Sequence, residues 1–151
     1  FLKNAWYVAA WSHEIANSLQ QILVLGEKIC VFRNSEGEVI ALEDSCPHRK
    51  LPLSKGRIKG DTVECGYHGL TFDCAGQCVW APGGGRIPSA AKVRPYPVHE
   101  KYGLVWIWMG NAAIADAVVA PGHDGQAQDL QFGRTQGQQD RNGIVLPRVG
   151  A

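Results

Sequence analysis

Residues 43–70 read EDSCPHRKLPLSKGRIKGDTVECGYHGL, which places Cys46-Pro47-His48 sixteen residues ahead of Cys65-Gly66-Tyr67-His68. Each half offers one thiol and one imidazole on a loop tightened by proline or glycine at Pro47, Pro52, Gly66 and Gly69. Thiolate and imidazole are the ligands taken by zinc and by iron–sulfur centres, and two matched pairs make a complete set of four. Zinc sites of the Cys₂His₂ type usually pair like with like, so the mixed order disfavours a zinc finger, although a zinc-stabilised interaction module stays as an alternative. A two-iron cluster with two cysteines on one iron and two histidines on the other takes one of each from two flanking loops.

The flanks of this stretch are punctuated by Gly, Pro, Asn and Asp, with short β-branched or aromatic runs between, a pattern of antiparallel strands joined by hairpins. Strands are predicted at 6–9, 21–25, 28–33, 39–43, 62–64, 71–73, 93–98 and 104–109, and a short helix at 12–16 with Ser12 as its N-cap. The last strand, LVWIWM, is apolar on both faces and is expected to lie between two layers, with packing as the first role of Trp106 and Trp108. Residues 1–110 hold 12 of the 13 aromatics, whereas 111–151 hold only Phe132 together with six Gln and six Gly. The domain is therefore expected to span 1–110. A short helix or linker is predicted at 112–120, and disorder at 122–143, which has neither period 2 nor period 3.6 and little apolar mass to offset ordering entropy.

With 151 residues, 45% hydrophobic, 19% charged and a net charge of +1, the chain has the size and composition of one soluble domain. Nothing in that balance points to nucleic acid. The longest apolar run, residues 104–109, falls far short of the ~20 residues of a membrane-spanning helix, and the start, FLKNAWYVAA, lacks the unbroken apolar stretch of an export signal. Five cysteines, an odd number, fit poorly with a paired disulfide framework and favour metal or redox chemistry in a reducing, cytoplasmic setting.

The pattern C-x-H-x₁₆-C-x-x-H, carried by Cys46, His48, Cys65 and His68, resembles the Rieske [2Fe–2S] motif. The resemblance implies that Cys46 and Cys65 bind one iron, that His48 and His68 bind the other, and that the chain is a one-electron carrier. Around the motif, NAWYVAAW at 4–11, ALEDSCPHR at 41–49, GYHGLTFD at 66–73 and GLVWIWMG at 103–110 resemble the N-terminal domain of Rieske non-haem iron oxygenases, especially vanillate O-demethylase-like oxygenase components. This likeness spans residue 2 to about 120. It implies an all-β fold in which an antiparallel sandwich carries a two-loop cluster-binding subdomain.

For the whole protein, the resemblance implies electrons supplied by a flavin or ferredoxin-type reductase and passed to a mononuclear non-haem iron in a following catalytic domain, within a homotrimer. Such an oxygenase would demethylate or hydroxylate an aromatic substrate. After Met109 the only histidine is His123, so two histidines and a carboxylate for that iron are lacking, and residues 122–151 do not resemble the family's continuation. Truncation or a shifted reading frame is one expectation, and a free-standing Rieske ferredoxin is the alternative function. Respiratory and photosynthetic Rieske proteins carry loop-bridging cysteines at the positions of Leu51 and Tyr67, and hydrogen-bonding Ser and Tyr at those of Leu70 and Phe72. Fewer donors to a cluster leave its reduced state less stabilised, so the expected midpoint lies low in the Rieske range.

The remaining candidates have simpler readings. His13 and His99 lack partners at metal spacing, and Cys30, within ICVF, reads as a buried thiol. Cys74 and Cys78 flank a turn where a disulfide could form, against the expectation for a reducing compartment. Pro82-Gly83-Gly84-Gly85-Arg86 has no G-K-[ST] continuation and reads as a surface loop. Arg49, Lys50, Lys55, Arg57 and Lys59 put five positive charges into eleven residues without an acid. They read as a solvated loop or as a docking face for an acidic electron donor.

Overall fold

The computed structural model describes residues 1–118, and the tail segment 122–143 lies outside them. The ten strands are β1 (Ala5–Trp11), β2 (Gln20–Val24), β3 (Glu27–Arg33), β4 (Val39–Glu43), β5 (Arg57–Lys59), β6 (Thr62–Glu64), β7 (Thr71–Phe72), β8 (Cys78–Trp80), β9 (Val98–Lys101) and β10 (Leu104–Met109). They form three antiparallel sheets ordered β1-β10-β9, β2-β3-β4 and β5-β6-β7-β8. No α-helix occurs among the described residues, and none of their helices is long and apolar enough to cross a membrane.

The sheet β2-β3-β4 is the middle layer. Alternation along β3 sends Ile29 and Val31 into one core, with Val39, Ala41, Val105, Ile107 and Met109, and sends Cys30 and Phe32 into a second. That second core contains Leu42, Cys46, Leu53, Val63, Cys65, Phe72 and Val93. All four β3 residues from Ile29 to Phe32 are fully buried, as a strand covered on both faces must be, and each large apolar side chain so buried contributes about 1.5–3 kcal/mol. Cys30 is the small hydrophobe expected of it. Burial, with the Asp44 charge nearby, pushes its thiol up to about 12.

Several sequence expectations change. The predicted strand at 93–98 is not one: Pro95 and Pro97 have no N–H for a ladder, so the segment makes only an isolated bridge to Leu42 and pairing begins at Val98. β5 and β8, three residues each, are absent from the predicted strands. The helix at 12–16 is a 3₁₀ turn, Ser12–Glu14, with Trp11 rather than Ser12 in the N-cap position, and Glu14 reaches back to the Trp11 N–H. Within the stretch 112–120, where a short helix or linker is predicted, the described residues form a 3₁₀ turn, Ala112–Ala117, capped by the Asn111 side chain. Cys74 and Cys78 are free thiols, each aimed at a backbone carbonyl, those of Asp61 and Trp80.

Arg33, at the end of β3, ties the first 3₁₀ turn to both sheets. Its guanidinium donates to the carbonyls of Ser12, Ile15 and Gly37 and to both carboxylate oxygens of Glu100 on β9, at 2.7 and 3.1 Å. The hydrogen bonds from Arg33 hold the Glu100 carboxyl below its ordinary value of 4.5. A carboxyl depressed on folding contributes stability that is present above the unfolded value and lost as pH falls through the folded one. Glu100→Gln should therefore be less stable than the wild type near neutral pH, with the gap closing below about 4.5 in urea unfolding at successive pH values.

Candidate metal centre

Two loops leave the middle and third sheets and carry the four predicted ligands. Loop 46–51 follows β4, and loop 65–70 joins β6 to β7. They are closed by the same hydrogen bonds. The Cys46 N–H donates to the Leu51 carbonyl at 2.9 Å and the Lys50 N–H returns to the Cys46 carbonyl at 2.8 Å. In the second loop the Cys65 N–H donates to the Leu70 carbonyl at 2.8 Å and the Gly69 N–H to the Cys65 carbonyl at 3.1 Å. The fifth residue of each frame is left-handed, Lys50 at φ 61° and Gly69 at φ 79°. In each frame a cysteine opens the loop and a leucine closes it, which puts both sulfurs at the base and both histidines at the tip.

The burial follows that frame. Cys46 and Cys65 are buried in the second core, whereas His48 and His68 are exposed. The rings of His48 and His68 meet edge to face with Nδ1 of one 3.0 Å from Nδ1 of the other. Cys65 lies beside Cys46 in that core, so the donors gather as like pairs, sulfur near sulfur and nitrogen near nitrogen. Burial pushes the Cys46 thiol up, and the neighbouring Cys65 adds to this, while the backbone N–H groups of His48 and Arg49 favour its thiolate. Metal loading would then displace a proton from this sulfur.

Among the described residues no group of three or more His, Cys, Asp or Glu side chains gathers closely enough to hold one metal ion. Two like pairs, one of buried thiols and one of exposed imidazoles, fit a binuclear centre with a sulfur-ligated and a nitrogen-ligated iron. His13 stacks on Trp11 and His99 meets Trp6.

Around the tip, Tyr67 lies against His68 with ring centroids 3.9 Å apart, and Trp80 of β8 sits over loop 65–70, where a Cβ on Gly69 would come within 3.3 Å of its ring. The strand β8 was missed in the sequence, and Trp80 with it. The basic stretch divides: Arg57 and Lys59 both engage Glu64 across the β5–β6 hairpin, at 2.6 and 3.6 Å, while Arg49, Lys50 and Lys55 face solvent.

Comparison with known proteins identifies the family. Residues 5–97 match the model of the Rieske [2Fe–2S] domain, and the chain belongs to that family. It is 48% identical over 117 residues to the iron–sulfur subunit of the toluene-4-sulfonate monooxygenase system of Comamonas testosteroni, covering 77% of this chain and 34% of that one. It is 43% identical over 122 residues to the oxygenase component of dicamba O-demethylase of Stenotrophomonas maltophilia, covering 80% and 36%. A crystal structure of dicamba monooxygenase superposes with a TM-score of 0.76 at 43% identity, over 80% of this chain and 39% of the other. The chain thus spans about a third of the length of these relatives. The group bound by the family is a [2Fe–2S] cluster, for which the two donor pairs are chemically suited.

Gly69 tests the loop frame. Gly69→Ala adds a Cβ to a left-handed residue and pushes it toward Trp80, and should lower unfolding stability by about 1–2 kcal/mol in urea titration, with Gly60→Ala, left-handed but open to solvent, as the strain-only control.

Proposed function

We propose that Cys46 and Cys65 hold one iron as thiolates, that His48 and His68 hold the other through Nδ1, and that the chain is the N-terminal electron-transfer domain of an aromatic-substrate oxygenase. The observation that carries the ligand assignment is the approach of the two exposed histidines through Nδ1, 3.0 Å apart, above two buried thiols. A [2Fe–2S] cluster bound there supplies a one-electron couple. The chain's own contribution is to desolvate the sulfur side, aim the His48 and Arg49 N–H groups at Cys46, and present the imidazole edges to a partner.

The oxygenase reading is supported by relatives that are oxygenase components and run to about three times the matched length. On that reading residues 1–110 form the electron-transfer domain and 111–151 are linker and tail. A mononuclear non-haem iron belongs to a catalytic domain beyond this sequence, the assembly is a homotrimer, the location is cytoplasmic, and a flavin or ferredoxin-type reductase is the donor. Low-temperature EPR of the dithionite-reduced chain, with iron, sulfide and zinc measured on the same sample, should give a rhombic signal of low average g at two irons per chain. Redox titration should place the midpoint below about 0 mV, in the lower part of the Rieske span. A colourless protein holding zinc and no sulfide would overturn the ligand assignment, and a midpoint well above zero would overturn the low-potential reading.

The donor's docking face is proposed at Arg49 and Lys50, on the loop that carries His48, and at Lys55, on the turn that touches Gly66, without Arg57 and Lys59, which pair with Glu64. Reversing Arg49 and Lys55 to Glu should slow reduction by an acidic ferredoxin about tenfold at low salt, with the difference lost near 1 M salt. Arg57→Glu, made at a cation already paired, should have a smaller effect, and equal slowing by the two variants would refute this face.

A further inference from the structure

The two loops carry no covalent tie: all five cysteines are free, and Leu51 and Tyr67 stand where a bridging disulfide would need cysteines. Something else must fix one loop against the other. Asp44, two residues ahead of Cys46, is only 4% exposed, and its carboxylate is fully engaged. Oδ1 accepts the Ser54 N–H at 2.7 Å, and Oδ2 accepts the Ser54 hydroxyl at 2.7 Å and the Gln21 side-chain amide at 2.5 Å. The residue two positions ahead of loop 46–51 is thereby bonded to the 3₁₀ turn Leu53–Lys55 that follows the loop, closing its base from outside.

The same turn abuts the second loop. A Cβ on Gly56 would lie 2.0 Å from the Glu64 carbonyl, and one on Gly66 would lie 3.1 Å from the Lys55 carbonyl. The backbones therefore touch at Gly56 against Glu64 and at Lys55 against Gly66, next to Cys65. Beneath the turn, Leu53 is fully buried in the core that holds both cysteines. The path runs from Asp44 through Ser54 and Lys55 to Gly66, from the root of one loop to the root of the other.

We propose that Asp44 is a positioning residue for the metal centre, a buried carboxylate clip that holds the two ligand loops in register where no disulfide does so. The proposal rests on the ligand assignment above. Asp44 does not touch a metal; it acts through Ser54 and the Lys55–Gly56 backbone. Removing the carboxylate leaves the Ser54 N–H without its acceptor and lets the turn, and with it the contact to Gly66, move relative to Cys46.

The test uses the full chain loaded with iron and sulfide, comparing Asp44→Ala, Asp44→Asn and Ser54→Ala with Val105→Ala, a truncation in the other core. Two readouts are taken at temperatures equally far below each variant's Tm: the rate at which an iron chelator bleaches the visible absorption, and the EPR spectrum of the reduced protein. Asp44→Ala should lose its cluster about tenfold faster than Val105→Ala, Ser54→Ala should fall between that variant and wild type, and both should show shifted g values. If Asp44→Ala does not accumulate, Ser54→Ala and Asp44→Asn decide by the same readouts. Bleaching at the Val105→Ala rate with an unchanged EPR spectrum would overturn the clip while leaving the ligands in place. A wild-type chain that binds no [2Fe–2S] cluster would overturn the ligand assignment and the clip together.

Discussion

Four donors on two six-residue loops have to be held in register, and each loop solves only half of that problem by itself. The bond from the cysteine N–H to the leucine carbonyl, made in both loops, fixes the shape of each loop locally. It says nothing about where one loop sits relative to the other. That relation comes from the second core, where Cys46 and Cys65 pack with Leu53, Val63 and Phe72 against the outward face of β3. The metal centre is therefore built on a strand covered on both sides, and β3 links the loops to the sandwich behind them. Apolar burial is strong but non-directional, so register needs directional contacts as well. The carboxylate of Asp44 and the close backbone approach at Gly56 and Gly66 are the directional contacts found at the roots of the loops.

The left-handed residue in each frame shows how a shared geometry tolerates different sequences. Gly69 adopts φ 79° without a Cβ to clash, whereas Lys50 holds φ 61° with a full side chain, a conformation that costs an L-residue about 1–2 kcal/mol. Lys50 is kept there by its own N–H bond to Cys46 and by the bond that Leu51 accepts from the same residue. Pro47 and Pro52, on either side, reduce the freedom that the unfolded chain gives up when the loop closes. A frame whose strain is offset in this way keeps the histidine at the tip even where the residue between Cys and His differs in number, one in the first loop and two in the second.

The Cys/His motif and several strand positions were legible because they are written in residue type and short-range alternation. Val39–Glu43, Thr62–Glu64 and Leu104–Met109 fall where the alternating runs predict. The parts that were not legible depend on partners distant in sequence. Arg57-Ile58-Lys59 has the composition of a charged loop and becomes a strand by pairing with Thr62–Glu64 across the hairpin, with Ile58 opposite Val63 and packed against the second core and Glu64 beside its cations. The apolar run at 93–98 has the composition of a strand, but Pro95 and Pro97 cannot donate to a ladder. Strand 104–109 was expected to be covered on both faces; the structure gives the fullest two-sided burial to β3, whose alternation is hidden because every residue from Ile29 to Phe32 is apolar. Asp44 reads in sequence as one more polar residue before a cysteine, and only the fold brings Ser54 and Gln21 to its oxygens.

The burial gradient across the centre gives its two ends different physical tasks. At the base the thiols sit among apolar side chains, where water is scarce and the His48 and Arg49 N–H groups are the available donors to Cys46. A thiolate there is costly unless its charge is compensated, which on the proposed assignment is what a metal ion at the sulfur end would do. At the tip the imidazoles lie in solvent beside Tyr67, with Arg49 and Lys50 on the same loop. A partner can approach this end without disturbing the second core, and nearby cations favour an acidic one. Burying the sulfurs and exposing the nitrogens thus keeps the anchoring contacts apart from the contacts through which an electron would enter or leave, and a rigid relation between the loops is what allows both to be met by one centre.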